Sequence, residues 1–172
     1  MRNLVYLSIF VLVLATQSCT PEGNTGEFAE YEMYNARAPM ANLVTGGQPS
    51  LADLKMFSDR GVRVVVNLRT KGEFKKFNEK EAVEKLGMTY VSIEIDGSDG
   101  ITQKNAELLD KALDNLSQPA LVHCASSNRV GGLLAYRAFS IQNKIAEDAI
   151  AFGRSAGMTS TEKRVKKLIG SK

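Results

Sequence analysis

The sequence predicts an α/β fold, with a central, mostly parallel sheet of about four to five strands flanked by helices. Three observations carry this expectation. Short runs dense in β-branched residues recur along the chain, the densest at residues 62–68, and runs apolar on both faces mark strands buried inside a parallel sheet. Longer segments between them place apolar residues at helical spacing. Glycines, serines and threonines punctuate the joins, where helices start and stop. Strands alternating with helices are the pattern of a parallel sheet covered on both faces. The composition, 44% hydrophobic and 24% charged over 172 residues, leaves room for one core.

Taken in order, residues 1–19 stand outside the fold as an export signal. Arg2 supplies the positive start, residues 4–15 an apolar run too short to span a bilayer comfortably, and Thr16, Gln17 and Ser18 the stretch before Cys19. A cysteine in that place resembles the lipidated residue of bacterial lipoproteins. It implies export to the periplasm or membrane anchoring through Cys19, with plain secretion or an uncleaved anchor as the alternatives. Residues 20–30, with Pro21, Gly23, Asn24 and Gly26, read as a flexible tether, and residues 31–172 as a single domain. Residues 31–39 show no clear period and read as a lead-in to a short strand at Leu43, Val44 and Thr45. Ser50 with Asp53 starts a helix over residues 51–59, which Gly61 ends. Residues 62–68 form a central strand whose exit, Asn67 to Thr70, lies where open α/β sheets place ligands. A charged amphipathic helix follows over residues 73–86, with Phe74, Phe77, Val83 and Leu86 inward. Residues 88–95 form a further inner strand, and the loop from Asp96 to Gly100 follows it. Thr102 caps a helix over residues 103–116. Helices over residues 129–141, 145–156 and 162–169 complete the chain, with Lys163, Arg164, Lys166 and Lys167 on a solvated face.

The strand, loop and helix over residues 119–135 carry the chemistry. Ala120, Leu121 and Val122 lead into His123, Cys124, Ala125, Ser126, Ser127, Asn128 and Arg129, with Val130 and two glycines beyond. Such a loop turns backbone N–H groups inward, the helix dipole adds to them, and the concavity suits an oxyanion. The same field makes a thiol at its floor nucleophilic. A lone cysteine at a strand end is otherwise a small buried hydrophobe, and it is the polar neighbours and the arginine that set Cys124 apart. Arg129 offers a planar fork to two oxygens of one anion, and Ala125, Ser126, Ser127 and Asn128 form the cradle. His123 faces away from Cys124, because neighbouring strand residues point to opposite sides, and supports the loop from below. Arg69 is a candidate second anion contact, or an exposed arginine serving no ligand.

The stretch from His123 to Gly131 resembles the signature loop of bacterial tyrosine/dual-specificity-phosphatase-like proteins related to the phosphatase-like domain of beta-lactamase-hydrolase-like proteins. The resemblance extends to Gly46-Gly47-Gln48-Pro49-Ser50 and to Val64-Val65-Val66-Asn67-Leu68-Arg69, and so covers residues 42–157. It implies a cysteine-phosphatase-like fold and a phosphorylated or other oxyanionic substrate. It also implies an aspartate ahead of the signature that protonates the leaving oxygen. Asp96 and Asp99 are the candidates, with Asp96 preferred, although Asp-Gly pairs also make plain turns. Two departures stand out. In the wider superfamily five residues separate the cysteine from the arginine, whereas here four separate Cys124 from Arg129 and Val130 holds the usual arginine place. That spacing resembles the loop of rhodanese-type sulfurtransferases. Ser127 stands where the family has glycine, at a position that calls for a conformation serine adopts less easily.

Three functions follow in order: a cysteine-dependent phosphatase-like hydrolase, a sulfurtransferase working through a Cys124 persulfide, and a catalytically weak oxyanion-binding module. With Cys19 counted in the leader, the domain owns one thiol, so the sequence implies neither an internal disulfide nor a two-thiol reductase. One histidine and one cysteine imply no metal site, and no organic cofactor is implied. A net charge of +3 reads as too small and too dispersed for a nucleic-acid surface.

Overall fold

The computed structural model describes residues 32–170, and the predicted export signal, Cys19 and the tether lie outside them. Among these residues five strands form one sheet: β1 (Arg37–Met40), β2 (Leu43–Gly46), β3 (Val64–Asn67), β4 (Thr89–Ser92) and β5 (Ala120–His123). Their spatial order is β1-β2-β5-β3-β4. Strands β2, β5, β3 and β4 run parallel, and β1 is an antiparallel edge. Among the described residues six helices flank the sheet: α1 (Leu51–Asp59), α2 (Glu79–Lys85), α3 (Gln103–Leu113), α4 (Asn128–Ser140), α5 (Ala146–Ser155) and α6 (Glu162–Gly170). The predicted mostly parallel sheet flanked by helices is the architecture found.

The period-two alternation of strand side chains divides the core in two. Val44, Val65 and Leu121 point to one face and bury against Leu54 and Phe57 of α1 and Val83 of α2. Leu43, Val66 and Val122 point to the other and meet Leu109 of α3 and Leu133 and Leu134 of α4. Strand β5 lies between β2 and β3, so its carboxyl end opens at the middle of the sheet. The cysteine loop grows from that point.

Some element boundaries differ from expectation. The helix expected over residues 73–86 begins only after Asn78, whose side chain accepts from Glu81 N at 3.3 Å and caps α2. Glu73 lies instead in a turn with Thr70, which Gly72 permits at φ 87°. The strands expected over residues 62–68 and 88–95 are each shortened to four residues in β3 and β4. Helix α3 stops at Leu113 because Asp114 enters the left-handed region at φ 40°, and a 3-10 turn, Asp114–Leu116, follows. Strand β1 is an element the aperiodic lead-in sequence did not announce. By contrast, α1 carries the expected capping box between Ser50 and Asp53, and Thr102 caps α3 through Asn105 N.

Candidate active site

Cys124 follows β5 directly and is buried, with its backbone N–H donating to Gly46 O at 3.2 Å. Beyond it, Ser126 bridges to Gly47 and its carbonyl accepts from Asn35 Nδ2 at 3.2 Å, so the loop's outer limb is tied to the chain on either side of β1 and β2. Gly47 is required there, because a Cβ would lie 2.9 Å from Ala125 O and 3.0 Å from Tyr34 O. Ala125 is exposed and Ser126 half-buried at the mouth. Ser127 then takes φ 67°, the left-handed conformation expected from its place in the family's loop, and its buried hydroxyl donates to Ala156 O at 2.8 Å. Asn128 opens α4 but turns its side chain away from the loop. Its Oδ1 accepts from Thr159 N at 2.8 Å and from Thr161 Oγ1 at 3.0 Å, tying the loop to the segment that precedes α6.

Arg129 sits in the first turn of α4, and three of its five donors are already assigned. Nη1 and Nη2 each donate to one oxygen of Glu73 at 2.7 Å, and Nη1 also donates to Ile95 O at 2.8 Å. The edge formed by Nε and the remaining Nη2 proton is not used by these partners. Glu73 is fixed in turn by Thr70, whose N–H and hydroxyl both donate to Oε1 at 2.7 Å. The hydrogen bonds from Arg129 hold the Glu73 carboxyl well below the ordinary 4.5, at about 2, with Thr70 reinforcing them against partial burial. The same contact raises the Arg129 pKa, and the proximity of Cys124 raises it further. A thiolate at Cys124 is thus adjacent to a permanently charged guanidinium.

Beneath the loop runs a second set of contacts. His123 is fully buried, and its Nε2 lies 2.6 Å from Glu79 Oε1, a close contact without hydrogen-bond alignment. Glu79 Oε2 accepts from Asn67 Nδ2 at 3.0 Å and from Gln48 Nε2 at 3.1 Å. Gln48 Oε1 accepts from Arg69 Nη1 at 3.0 Å, and Arg69 Nε stands 3.5 Å from Glu73 Oε2. The chain of contacts therefore leaves the loop at His123, passes through Glu79, Gln48, Arg69 and Glu73, and returns at Arg129. Arg69, expected either at the anion or on the surface, is a link in this ring and lies over the Phe74 ring at 5.3 Å.

Asp96 and Asp99 lie on the loop after β4. Asp96 directly follows Ile95, the residue whose carbonyl binds Arg129, so the chain delivers it to the rim of the cysteine loop. Both aspartates are exposed. Glu73, Glu79 and Gln48 are the site residues that sequence reasoning missed. Thr70 and Glu73 have the spacing of a capping box, which reads as a helix start, and nothing local distinguishes Glu79 from the other acids of a charged helix. Cys19 lies outside the described residues.

The assembled geometry holds a buried thiol, a helix N-terminus and a clamped arginine fork at one point, which suits binding a tetrahedral oxyanion and attack on its central atom. Comparison with known proteins agrees with that reading of the fold. The beta-lactamase hydrolase-like protein of Xylella fastidiosa is 30% identical over 91 residues, 51% of this chain, and the chain spans only 21% of that relative's length. The DUF442 protein of Shewanella putrefaciens superposes with a TM-score of 0.62 at 20% identity, covering 81% of this chain and 88% of that one. TpbA of P. aeruginosa, solved with phosphotyrosine, gives 0.58 at 14% identity, covering 77% and 81%. PTPMT1, solved with PI(5)P, gives 0.61 at 18% identity, covering 75% and 90%. The family described as DSP-PTPase phosphatase fused to NAD+ kinase matches residues 24–169. The fold is phosphatase-like, and the chain belongs to that family.

Proposed function

We propose that the protein is a cysteine-dependent phosphomonoesterase. The observation that carries this reading is the orientation of Arg129: Glu73 and Ile95 O take one edge of its guanidinium, while Cys124 acts on the same group electrostatically. A fork held in advance pays little reorganisation when phosphoryl oxygens arrive. In the first step the Cys124 thiolate forms an S–P bond as the P–O bond to the leaving group breaks, and Asp96 or Asp99 gives that oxygen its proton. In the second, the resulting carboxylate takes a proton from water, whose oxygen attacks phosphorus; the S–P bond breaks and inorganic phosphate leaves. Arg129 and the loop N–H groups balance charge on the equatorial oxygens in both steps.

The neighbours solved with phosphotyrosine and a phosphoinositide support an oxyanionic substrate here. A second reading, sulfur transfer through a Cys124 persulfide, rests on the four-residue spacing between Cys124 and Arg129. One assay separates them. Purified protein is tested for phosphate release from para-nitrophenyl phosphate and for thiocyanate formation from thiosulfate and cyanide, each repeated with Cys124→Ser. Phosphate release that Cys124→Ser abolishes is the expected result. Thiocyanate formation dependent on Cys124, without phosphate release, replaces the phosphatase reading, and silence in both leaves an anion-binding module.

A further inference from the structure

Positive charge clusters in two stretches of the chain, residues 69–80 and residues 162–172. Residues 69–80 carry Arg69, Lys71, Lys75, Lys76 and Lys80 against Glu73 and Glu79, a net +3, while the remaining residues hold 17 cations and 17 carboxylates. Residues 162–172, with five cations against Glu162, carry a net +4, but it is the stretch 69–80 that delivers Glu73 to Arg129.

Both carboxylates of this segment are committed to internal partners, Glu73 to Arg129 and Thr70, Glu79 to Asn67, Gln48 and His123. Neither offsets the lysines. Lys71, Lys75 and Lys76 are exposed and have no side-chain ion pair among the described residues, while Lys80 reaches only Glu84, at 3.9 Å. The segment is bordered by a cleft of about 480 Å³ lined by Gln48, Ser50, Arg69, Glu73, Phe74 and Lys76. Because Glu73 lies in its wall, this cleft adjoins the arginine of the anion loop. An adjoining cleft of about 320 Å³, which shares Arg69, Phe74 and Phe77 with the first, takes in Lys71 and Lys80, but there Glu79 and Glu94 accompany them. Among the described residues, the only carboxylate lining the first cleft is the clamped Glu73.

We infer that the substrate is a small phosphomonoester bearing a second phosphate, with the reacting phosphate in the cysteine loop and the other in the cleft walled by Arg69 and Lys76. The inference rests on the phosphatase reading above and narrows its substrate class. A monoester with one anionic group leaves the cation patch unused. A second phosphate is attracted to it and gains steering from the summed field. Phe74 and Phe77 flank the same cleft, an edge-to-face pair 4.9 Å apart that gives the substrate's carbon skeleton an apolar wall.

The test compares a soluble inositol bisphosphate, the same phosphorylated headgroup in phosphatidylinositol phosphate vesicles, a phosphotyrosyl peptide and para-nitrophenyl phosphate. The expected result is a higher kcat/KM for the bisphosphate or for the vesicles than for the peptide; the faster of the two forms identifies whether the source is soluble or lipid. Lys76→Gln should raise KM for the preferred substrate about three- to fivefold more than KM for para-nitrophenyl phosphate, the size of one partly solvated charge contact. That difference should shrink with added salt. A preference for the peptide, or equal effects of Lys76→Gln on all substrates, overturns the inference while leaving the phosphatase reading intact. Calorimetry with Cys124→Ser needs no turnover. Tighter binding of inositol bisphosphate than of inorganic phosphate, weakened by Lys76→Gln, supports the second-anion cleft even if the hydrolysis assay is silent, and equal affinities refute it.

Discussion

Ser127 shows how much one residue can reveal about a site. A left-handed backbone costs a non-glycine residue about 1–2 kcal/mol, and the hydrogen bond from its hydroxyl to Ala156 O returns about 1 kcal/mol. Glycine would remove the strain and the bond together, so Ser127→Gly is expected within about 1 kcal/mol of the parent. Ser127→Ala keeps the strain and loses the bond, and urea unfolding should place it about 1–2 kcal/mol below Ser127→Gly. Equal stabilities of the two variants would remove the hydroxyl from this account. Glu73 belongs to the same scale. It touches no substrate in the proposed mechanism and acts as a positioning residue, so Glu73→Gln should lower kcat about ten- to a hundredfold through a misplaced Arg129. Glu73→Asp, which keeps the charge, should recover part of that loss, and a kcat unmoved by Glu73→Gln would show that Arg129 needs no clamp.

At the scale of elements, helix α4 depends on close approach to α5. A Cβ on Gly131 would run into Met158 N and Gly153 O, backbone atoms that cannot move aside as a side chain does. The helix propensity gained by Gly131→Ala, about 1 kcal/mol, is outweighed by overpacking of about 1–3 kcal/mol or more. A net loss of stability in urea, with unchanged m-value, is the outcome to look for. Elements set by local chemistry were legible in the sequence. The Ser50 capping box, the Thr102 cap and the apolar strand before Cys124 each depend on neighbours within a few residues. Features set by distant contacts were not. Glu73 has the spacing of a helix start but is drawn into a turn by Arg129, 56 residues away. Likewise β1, lacking alternation, is defined by its pairing with β2. In the site, the loop residues were named from their residue types after an apolar strand and from the family resemblance, whereas the roles of Glu79 and Gln48 emerged only once the fold brought Glu79 against His123 and Gln48 against Glu79.

At the scale of the whole molecule, two carboxylates among the described residues sit far below their ordinary pKa: Glu73 at about 2 through Arg129, and Glu162 at about 2 through Arg154 and then Lys166. A lowered folded-state pKa contributes stability that is present above the ordinary carboxylate value and is lost as pH falls through the folded value. Thermal stability should therefore decline between about pH 5 and pH 2, and less steeply in a Glu73→Gln, Glu162→Gln double variant. Parallel curves for parent and variant would assign the acid sensitivity elsewhere. The ring of contacts from His123 through Glu79, Gln48, Arg69 and Glu73 to Arg129 has a consequence for protein engineering. The segment from His123 to Arg129, moved onto another strand–loop–helix scaffold, would take the nucleophile with it and leave behind the residues that aim the fork. A working graft must also bring along the stretch from the end of β3 through Glu79 at the start of α2, and the turn after β2.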